Sequence, residues 1–255
     1  EAPLELVEAV KPIATPAPQR PKAAYLVGPE SYGVFKLVAE LQKANVPTFR
    51  SATAFDGHPP GTFIIPATDA SQPIVTKAAA DLGLVVSGAD QMPAVDGFKL
   101  KPGTKVGLWK GANNMPGGWL LWILEQYGID HEIVKSQDFA GDLNQKYDVI
   151  LLPTNTSRSR IVNGLDSKRN DPAEWSWAFG VGEAGWTKLA AYVEKGGTLL
   201  AIGNSVETAR ELLDLPIEKV LPEPPPRFGP EANTVAGGQV SASMVDQTLR
   251  DTFSS

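Results

Sequence analysis

Two stretches of the chain show the same order of short apolar runs and amphipathic segments. In the first, the run Ala24–Val27 precedes a Gly-Pro loop, a helical stretch and a second run, Phe63–Pro66. In the second, residues 106–109 precede a loop rich in glycine and asparagine, a helical stretch and residues 149–153. Short apolar strands that alternate with amphipathic helices are typical of parallel sheets with helices on both faces. The predicted fold class is therefore α/β, with this pattern repeated twice.

The spacing of apolar residues predicts further elements in both halves. Helices are expected near residues 72–81, 183–195 and 206–213, and strands near residues 84–86 and 198–202. The segment 154–182 has few periodic apolar residues. Loops of this length are uncommon in compact domains and are often functional.

These elements divide the chain into four parts. Residues 1–21 are rich in proline and are predicted to be a linker, cut from something longer and without a signal peptide. The first α/β unit is expected at residues 22–100 and the second at residues 101–222. A proline-rich segment and then a polar tail are expected at residues 223–255.

The composition and net charge argue against several classes of binding partner and of functional site. The chain has 255 residues and a formal net charge of −6, which argues against a nucleic-acid or anionic-membrane partner. Its apolar runs are far shorter than the roughly 20 residues of a membrane helix, so no membrane insertion is expected. There is no cysteine, which excludes disulfides, thiolate metal sites and a cysteine nucleophile.

The histidines do not predict a metal site. His58 and His131 are the only two, and neither has a histidine or glutamate partner at metal-ligand spacing. We therefore expect no metal ligand and no cofactor in this segment.

Ser205 is the residue placed most like a nucleophile, because it lies in the turn Gly203-Asn204-Ser205 after a predicted strand. No histidine follows it to act as a base. The alternative is that Ser205 or Asn204 caps the next helix. No catalytic residue is predicted, and a serine hydrolase that uses Ser205 stays an alternative function.

Two loops carry the candidate binding residues. Lys110, Asn113 and Asn114 precede a predicted helix, whose N-terminus could hold an anion or could simply end a turn. Asn155, Arg158 and Arg160 follow a predicted strand, where the arginines could clamp a carboxylate or fasten the loop to its own domain. These six residues are the predicted ligand or partner contacts.

The chain also resembles a known family across roughly residues 22–222. It is similar to the C-terminal region of large bacterial zinc carboxypeptidase-like proteins, from the metallocarboxypeptidase family that includes carboxypeptidase A. The resemblance is carried by Ala24-Tyr25-Leu26-Val27-Gly28-Pro29, Gly61-Thr62-Phe63, residues 101–110, Gly118-Trp119, residues 122–128, Gly141-Asp142-Leu143, residues 147–153, Gly180-Val181-Gly182 and residues 192–199.

The resemblance implies a fold and a setting. In such proteins a peptidase domain lies N-terminal to a glutamine amidotransferase-like region, so a flavodoxin-like, or class I glutamine amidotransferase-like, fold is implied here. Zinc is then expected only in the upstream peptidase domain of the same polypeptide. The family's zinc-binding His-x-x-Glu motif has no counterpart here, and the amidotransferase cysteine is missing at Gly203-Asn204-Ser205. Export to the periplasm or cell exterior is implied as well.

Three functions follow from these observations. The first is a non-catalytic accessory region that packs beside the peptidase domain and shapes the access of a peptide substrate. The second is a stand-alone module that binds a small polar ligand through the loops near Asn113 and Arg158. The third is the serine hydrolase that uses Ser205.

Overall fold

A computed structural model of the chain describes residues 19–165 and 168–218. Most of the predicted linker, residues 1–21, and the whole tail, residues 223–255, lie outside these ranges. The described residues up to Leu215 belong to one compact unit. Its strands are β1 (Ala24–Val27), β2 (Phe49–Ser51), β3 (Phe63–Pro66), β4 (Val86–Ala89), β5 (Gly97–Lys99), β6 (Val106–Leu108), β7 (His131–Ile133), β8 (Val149–Leu152) and β9 (Thr198–Ala201). Its helices are α1 (Gly33–Lys43), α2 (Ser71–Leu82), α3 (Met115–Gln126), α4 (Leu143–Lys146), α5 (Arg158–Val162), α6 (Pro172–Trp175), α7 (Gly182–Glu194) and α8 (Val206–Leu213).

The first sheet has the strand order β4-β1-β3-β2-β5, and all its neighbouring strands are antiparallel. The prediction of a parallel sheet is therefore wrong for residues 22–100. The reason is a two-residue turn between β2 and β3, where Asp56 and Gly57 have φ values of 43° and 81°. Phe55 and His58 exchange backbone hydrogen bonds of 3.1 and 2.7 Å across it. Positive φ at both central residues is the geometry of tight hairpin turns, which reverse the chain.

Both helices of this half cover the same face of the first sheet. Residues of α1 and α2 pack with Tyr25, Val27 and Ile65 in one core cluster. The opposite face presents Leu26 and Ile64, and it is covered by side chains from loops rather than by a helix. The expectation of helices on both faces is thus also wrong here, and the elements follow the β-α-β-β-α-β order of a split βαβ motif.

The second sheet has the order β7-β6-β8-β9, and all its strands are parallel. Helix α3 packs on one face around Leu108, Leu124 and Leu151. Helices α4, α7 and α8 pack on the other face with Ile150 and Leu152. The α/β class is confirmed, and this half has the predicted parallel sheet with helices on both faces. The flavodoxin-like and amidotransferase-like assignment stays a prediction.

Most element boundaries agree with the sequence pattern to within two residues. Helix α2 ends at Gly83, whose φ of 63° is left-handed, and α8 has its predicted bounds. The segment 88–104 differs, because no element was predicted for it. It contains the end of β4 and the whole of β5, which pair with β1 and β2.

A buried carboxylate fastens the turn between β7 and α4. Asp138 has a side chain only 9% exposed; it accepts hydrogen bonds from the Lys135 backbone (2.8 Å) and the Tyr147 hydroxyl (2.7 Å), and it pairs with Lys146. Burial by itself raises the pKa of this carboxyl. The hydrogen bonds from Lys146, Lys135 and Tyr147 outweigh that cost, so the pKa lies below its usual value.

This network makes stability depend on pH in a defined direction. Asp138→Asn is expected to lower the free energy of unfolding by about 1–3 kcal/mol at pH 7. A lowered folded-state pKa stabilises the protein above the ordinary carboxyl value of 3.8, and the stabilisation is lost as pH falls through the lower folded value. Urea denaturation should therefore show the deficit shrinking below pH 3.8. The control is Asp130→Asn, at a carboxylate 81% exposed, and an equal deficit there would contradict the assignment.

Candidate functional site

The predicted binding residues lie at the carboxyl ends of β6 and β8, at the centre of the parallel sheet. The connection from β6 leads outward to β7, whereas the connection from β8 leads to β9 on the other side. Ligands of open parallel sheets bind where the connections change direction in this way. The loops that follow β6 and β8 are therefore the place to look for a site.

The loop after β8 is joined to the loop after β9 by reciprocal hydrogen bonds, which we call the loop clamp (Asn155, Thr156, Asn204 and Ser205). The backbone N–H of Asn155 donates to Asn204 Oδ1 at 2.7 Å, and Asn204 Nδ2 donates to Asn155 Oδ1 at 2.9 Å. Thr208 on α8 adds a hydrogen bond of 2.6 Å to the Thr156 carbonyl. Asn155 is thus a structural partner of Asn204, and its predicted role in ligand binding stays a prediction.

Ser205 belongs to the same clamp. Its side chain is 1% exposed, donates to the Pro153 carbonyl at 2.6 Å and accepts from the Thr156 backbone N–H at 2.9 Å. Ser205 occupies the N-cap position of α8, but its hydroxyl makes no capping hydrogen bond. The predicted capping of α8 by Ser205 or Asn204 is therefore wrong, because both side chains hydrogen-bond the loop after β8 instead.

Arg158 is held by carboxylates of its own domain. Its guanidinium forms ion pairs of 2.8 Å with Glu183 and 2.9 Å with Glu211, and it lies over the Trp186 ring. Hydrogen bonds to the two glutamates raise the pKa of Arg158. The side chain joins α5 to α7 and α8, so a contact between Arg158 and a partner stays a prediction.

Arg160 and Lys110 differ from Arg158 in having no carboxylate partner within residues 19–165 and 168–218. Arg160 Nη1 donates to the Asn113 carbonyl at 3.4 Å. Lys110 Nζ lies 4.3 Å from the centre of the Trp177 ring. The structure thus brings Arg160 to the loop that contains Lys110, Asn113 and Asn114. The sequence predicted both loops as candidate binding segments, but it did not predict this contact between them.

Asn114 leaves a buried acceptor unpaired. The residue is 8% exposed, and its Nδ2 donates to Thr156 Oγ1 at 3.5 Å. Thr156 Oγ1 uses its own hydrogen on the Pro153 carbonyl, at 2.8 Å, so it must accept from Asn114. This fixes the orientation of the amide and leaves Oδ1 without a partner in the part of the chain that the structure describes.

Trp109 is a residue of this loop that the sequence analysis missed. It directly follows β6 and is 3% exposed, and its indole N–H has no partner among the described residues. A buried indole N–H usually has a hydrogen-bond acceptor. A tryptophan placed directly after a buried strand is therefore the sequence feature that could have pointed to this residue.

The two histidines contact other parts of the chain. His58 Nε2 is 3.5 Å from Ser87 Oγ, and His131 Nδ1 is 2.8 Å from the Ile129 carbonyl. Among the residues that the structure describes, no group of three or more histidine or acidic side chains could hold a metal ion. The same residues include no helix long and apolar enough to span a membrane.

A separate cleft of about 890 Å³ lies beside the amino end of the second sheet. Its lining includes Phe35 and Lys43 of α1, together with His131 and Tyr147. None of the six predicted binding residues lines it. The cleft and the loop after β6 are therefore different features, at opposite ends of the parallel strands.

Comparison with known proteins adds no assignment. No family model, no curated protein and no solved structure matches the chain.

Proposed function

We propose that the chain is a non-catalytic accessory α/β region of a secreted zinc carboxypeptidase-like protein. In this proposal it packs beside the peptidase domain of the same polypeptide and shapes the access of a peptide substrate. Zinc belongs to that peptidase domain, and export to the periplasm or cell exterior is part of the proposal. The sequence resemblance supplies the setting, and an exposed apolar surface on α3 is the observation that carries the proposal.

This surface, the α3 stripe, consists of Met115, Trp119, Trp122 and Ile123. The four side chains are 75%, 60%, 50% and 41% exposed. Their spacing places them on neighbouring positions of the helix surface, while Leu124 is buried against the sheet. The two tryptophan rings are in edge contact, with centroids 5.9 Å apart.

Further exposed apolar side chains lie at the β9 edge of the second sheet, on the same side of the sheet as α3. Leu200 of β9 pairs in register with Leu151, which packs on the α3 side of the sheet. Leu200 is 50% exposed and Ile202, which follows β9, is 37% exposed. Large exposed apolar surfaces of this kind mark protein–protein contacts, and tryptophan is enriched among the residues that dominate them. The peptidase domain is the proposed occupant of this surface, because the resemblance places that domain on the same polypeptide.

Replacing the two tryptophans of the α3 stripe tests this proposal. The double change Trp119→Ser/Trp122→Ser should weaken association with the separately purified peptidase domain roughly a thousandfold, since such residues contribute about 2 kcal/mol or more each. It should leave the melting temperature of the chain nearly unchanged, because both side chains already face solvent. Isothermal titration calorimetry measures the affinity.

The matched control is Tyr32→Ser, which removes an aromatic side chain 79% exposed before α1. If this control weakens association as much as the tryptophan changes, the α3 stripe is not the contact. The proposal is also overturned if the unmodified chain and the peptidase domain do not associate.

The stand-alone ligand-binding module stays the second candidate. Lys110 and Arg160 favour it, because neither has a carboxylate partner among the residues that the structure describes. A serine hydrolase is the third candidate, and its test is given with Ser205 in the Discussion.

A further inference from the structure

We propose that the cleft of about 890 Å³ beside α1 binds an uncharged molecule of fused apolar rings that carries a hydroxyl or N–H donor. Phenols and indoles with further rings belong to this class. The inference does not depend on packing against a peptidase domain.

The first argument is the size and position of the cleft. Ligand sites commonly enclose about 300–1,000 Å³ and often lie where separately packed parts of a chain meet. This cleft lies between α1, which packs on the first sheet, and the residues that lead into β6 and β7 of the second sheet. The Gln42 side chain donates to the Lys101 carbonyl at 3.2 Å, and Lys43 Nζ lies 3.8 Å from Asp130. These contacts position both walls without a ligand.

The second argument is the apolar wall of the cleft. Phe35, Val38 and Ala39 of α1 line one side, and Ile129 lines the cleft from the second half of the chain. Phe35 is 37% exposed, and its ring meets the Phe63 ring edge to face, with centroids 6.0 Å apart. A flat apolar ring can pack against the exposed part of Phe35, because aromatic rings favour offset and edge contacts.

The third argument favours an uncharged ligand. The lysines that line the cleft lie beside carboxylates of the same chain, in the pairs Lys43–Asp130, Lys146–Glu132 and Lys105–Asp148. Hydrogen bonds from Lys101 and the Lys105 backbone, together with the charges of both lysines, lower the pKa of the Asp148 carboxyl. A charged ligand would have to compete with these internal pairs, and it would also lose its own hydration.

The fourth argument defines the donor. His131 lines the cleft, and its Nδ1 lies 2.8 Å from the Ile129 carbonyl oxygen. A carbonyl oxygen only accepts, so Nδ1 carries the hydrogen and Nε2 of the neutral imidazole is left as an acceptor. Nε2 has no hydrogen-bond partner in residues 19–165 and 168–218. The His131 side chain is partly exposed, so a ligand hydroxyl or N–H can donate to Nε2.

Nuclear magnetic resonance titration of the 255-residue chain tests the proposal, at about pH 8 so that imidazoles are neutral. The probe 2-naphthol has fused rings and a hydroxyl, 2-methoxynaphthalene lacks the donor, and 2-naphthoate is an anion of similar shape. We expect 2-naphthol to shift the backbone amide signals of Ala39, Gly103, Gly128 and Glu132. It should bind about fivefold more tightly than 2-methoxynaphthalene, the scale of one neutral hydrogen bond, and more tightly than 2-naphthoate.

Variants then assign the contacts. His131→Phe keeps a ring and removes Nε2, so 2-naphthol should bind about fivefold more weakly. The affinity for 2-methoxynaphthalene should stay unchanged, which also shows that the variant is folded. The control His58→Phe alters the other histidine, which does not line the cleft, and should change neither affinity. Phe35→Ala should weaken both probes alike, whereas Tyr32→Ala, at an exposed ring one turn earlier, should weaken neither.

The proposal has clear contrary outcomes. Binding of 2-naphthoate as tight as that of 2-naphthol would overturn the uncharged ligand class. Equal affinity for 2-naphthol and 2-methoxynaphthalene would overturn the role of His131 as acceptor. Shifts confined to α3, or no shift with any probe, would overturn the site itself. None of these results bears on association through the α3 stripe, which the tryptophan variants measure separately.

Discussion

Gly164→Ala is expected to lower the free energy of unfolding by about 3 kcal/mol or more, at the upper end of what overpacking costs. Gly164 has a φ of 54°, and an added Cβ atom would overlap the backbone of Phe179 and Gly180. This close approach joins the end of α5 to the residues before α7 through backbone bridges from Gly164 and Leu165 to Phe179. The variant should therefore also loosen Trp177, which contacts Lys110.

Two further glycine variants separate the crowding from the backbone strain. Gly182→Ala has a similar φ of 67°, but an added Cβ atom meets nothing within 4 Å. It should cost only the roughly 1–2 kcal/mol of a left-handed alanine. Gly180→Ala lacks the positive φ but overlaps the Val162 carbonyl, so it should be severe as well. Denaturant unfolding that ranks Gly182→Ala as the worst of the three would contradict this account.

Ser205→Ala is expected to lower the free energy of unfolding by about 2–3 kcal/mol while leaving any hydrolase activity unchanged. The change leaves the buried N–H of Thr156 without its acceptor, and it removes one of the two donors to the Pro153 carbonyl. Ser159→Ala, at an exposed serine on α5, is the matched control and should shift the unfolding midpoint little. A fall in a hydrolytic rate of roughly a hundredfold with unchanged stability would instead support the serine hydrolase.

The second half of the chain could be predicted from its sequence because its signals are local. Apolar runs such as Val149–Leu152 are buried on both faces, as expected for central parallel strands. In the first half, by contrast, strand direction depends on the two residues Asp56 and Gly57. Asp-Gly between short strands is a strong hairpin signal, but in this stretch only His58 was weighed, as a metal ligand.

The candidate site was predictable as a region but not contact by contact. The meeting of the loops after β6 and β8 could be foreseen, because the carboxyl ends of parallel strands share one edge. The different environments of Arg158 and Arg160 could not be foreseen. The partners of Arg158 lie 25 and 53 residues away, on helices whose relative positions only the folded chain defines. Periodicity places a side chain on a face of an element but does not identify its ion-pair partner.

The loop clamp also determines when the candidate site can form during folding. Its hydrogen bonds join residues 49 positions apart, so they require β8, α7 and β9 to be in place first. Contacts between residues so far apart in sequence form late, since the intervening chain must be ordered before they are made. During synthesis on a ribosome, the backbone N–H of Thr156 cannot form its hydrogen bond to Ser205 Oγ until Ser205 has been added to the chain. A shortened chain that stops before β9 would therefore carry Lys110, Asn114 and Arg160 without the hydrogen bonds that hold their loops in position.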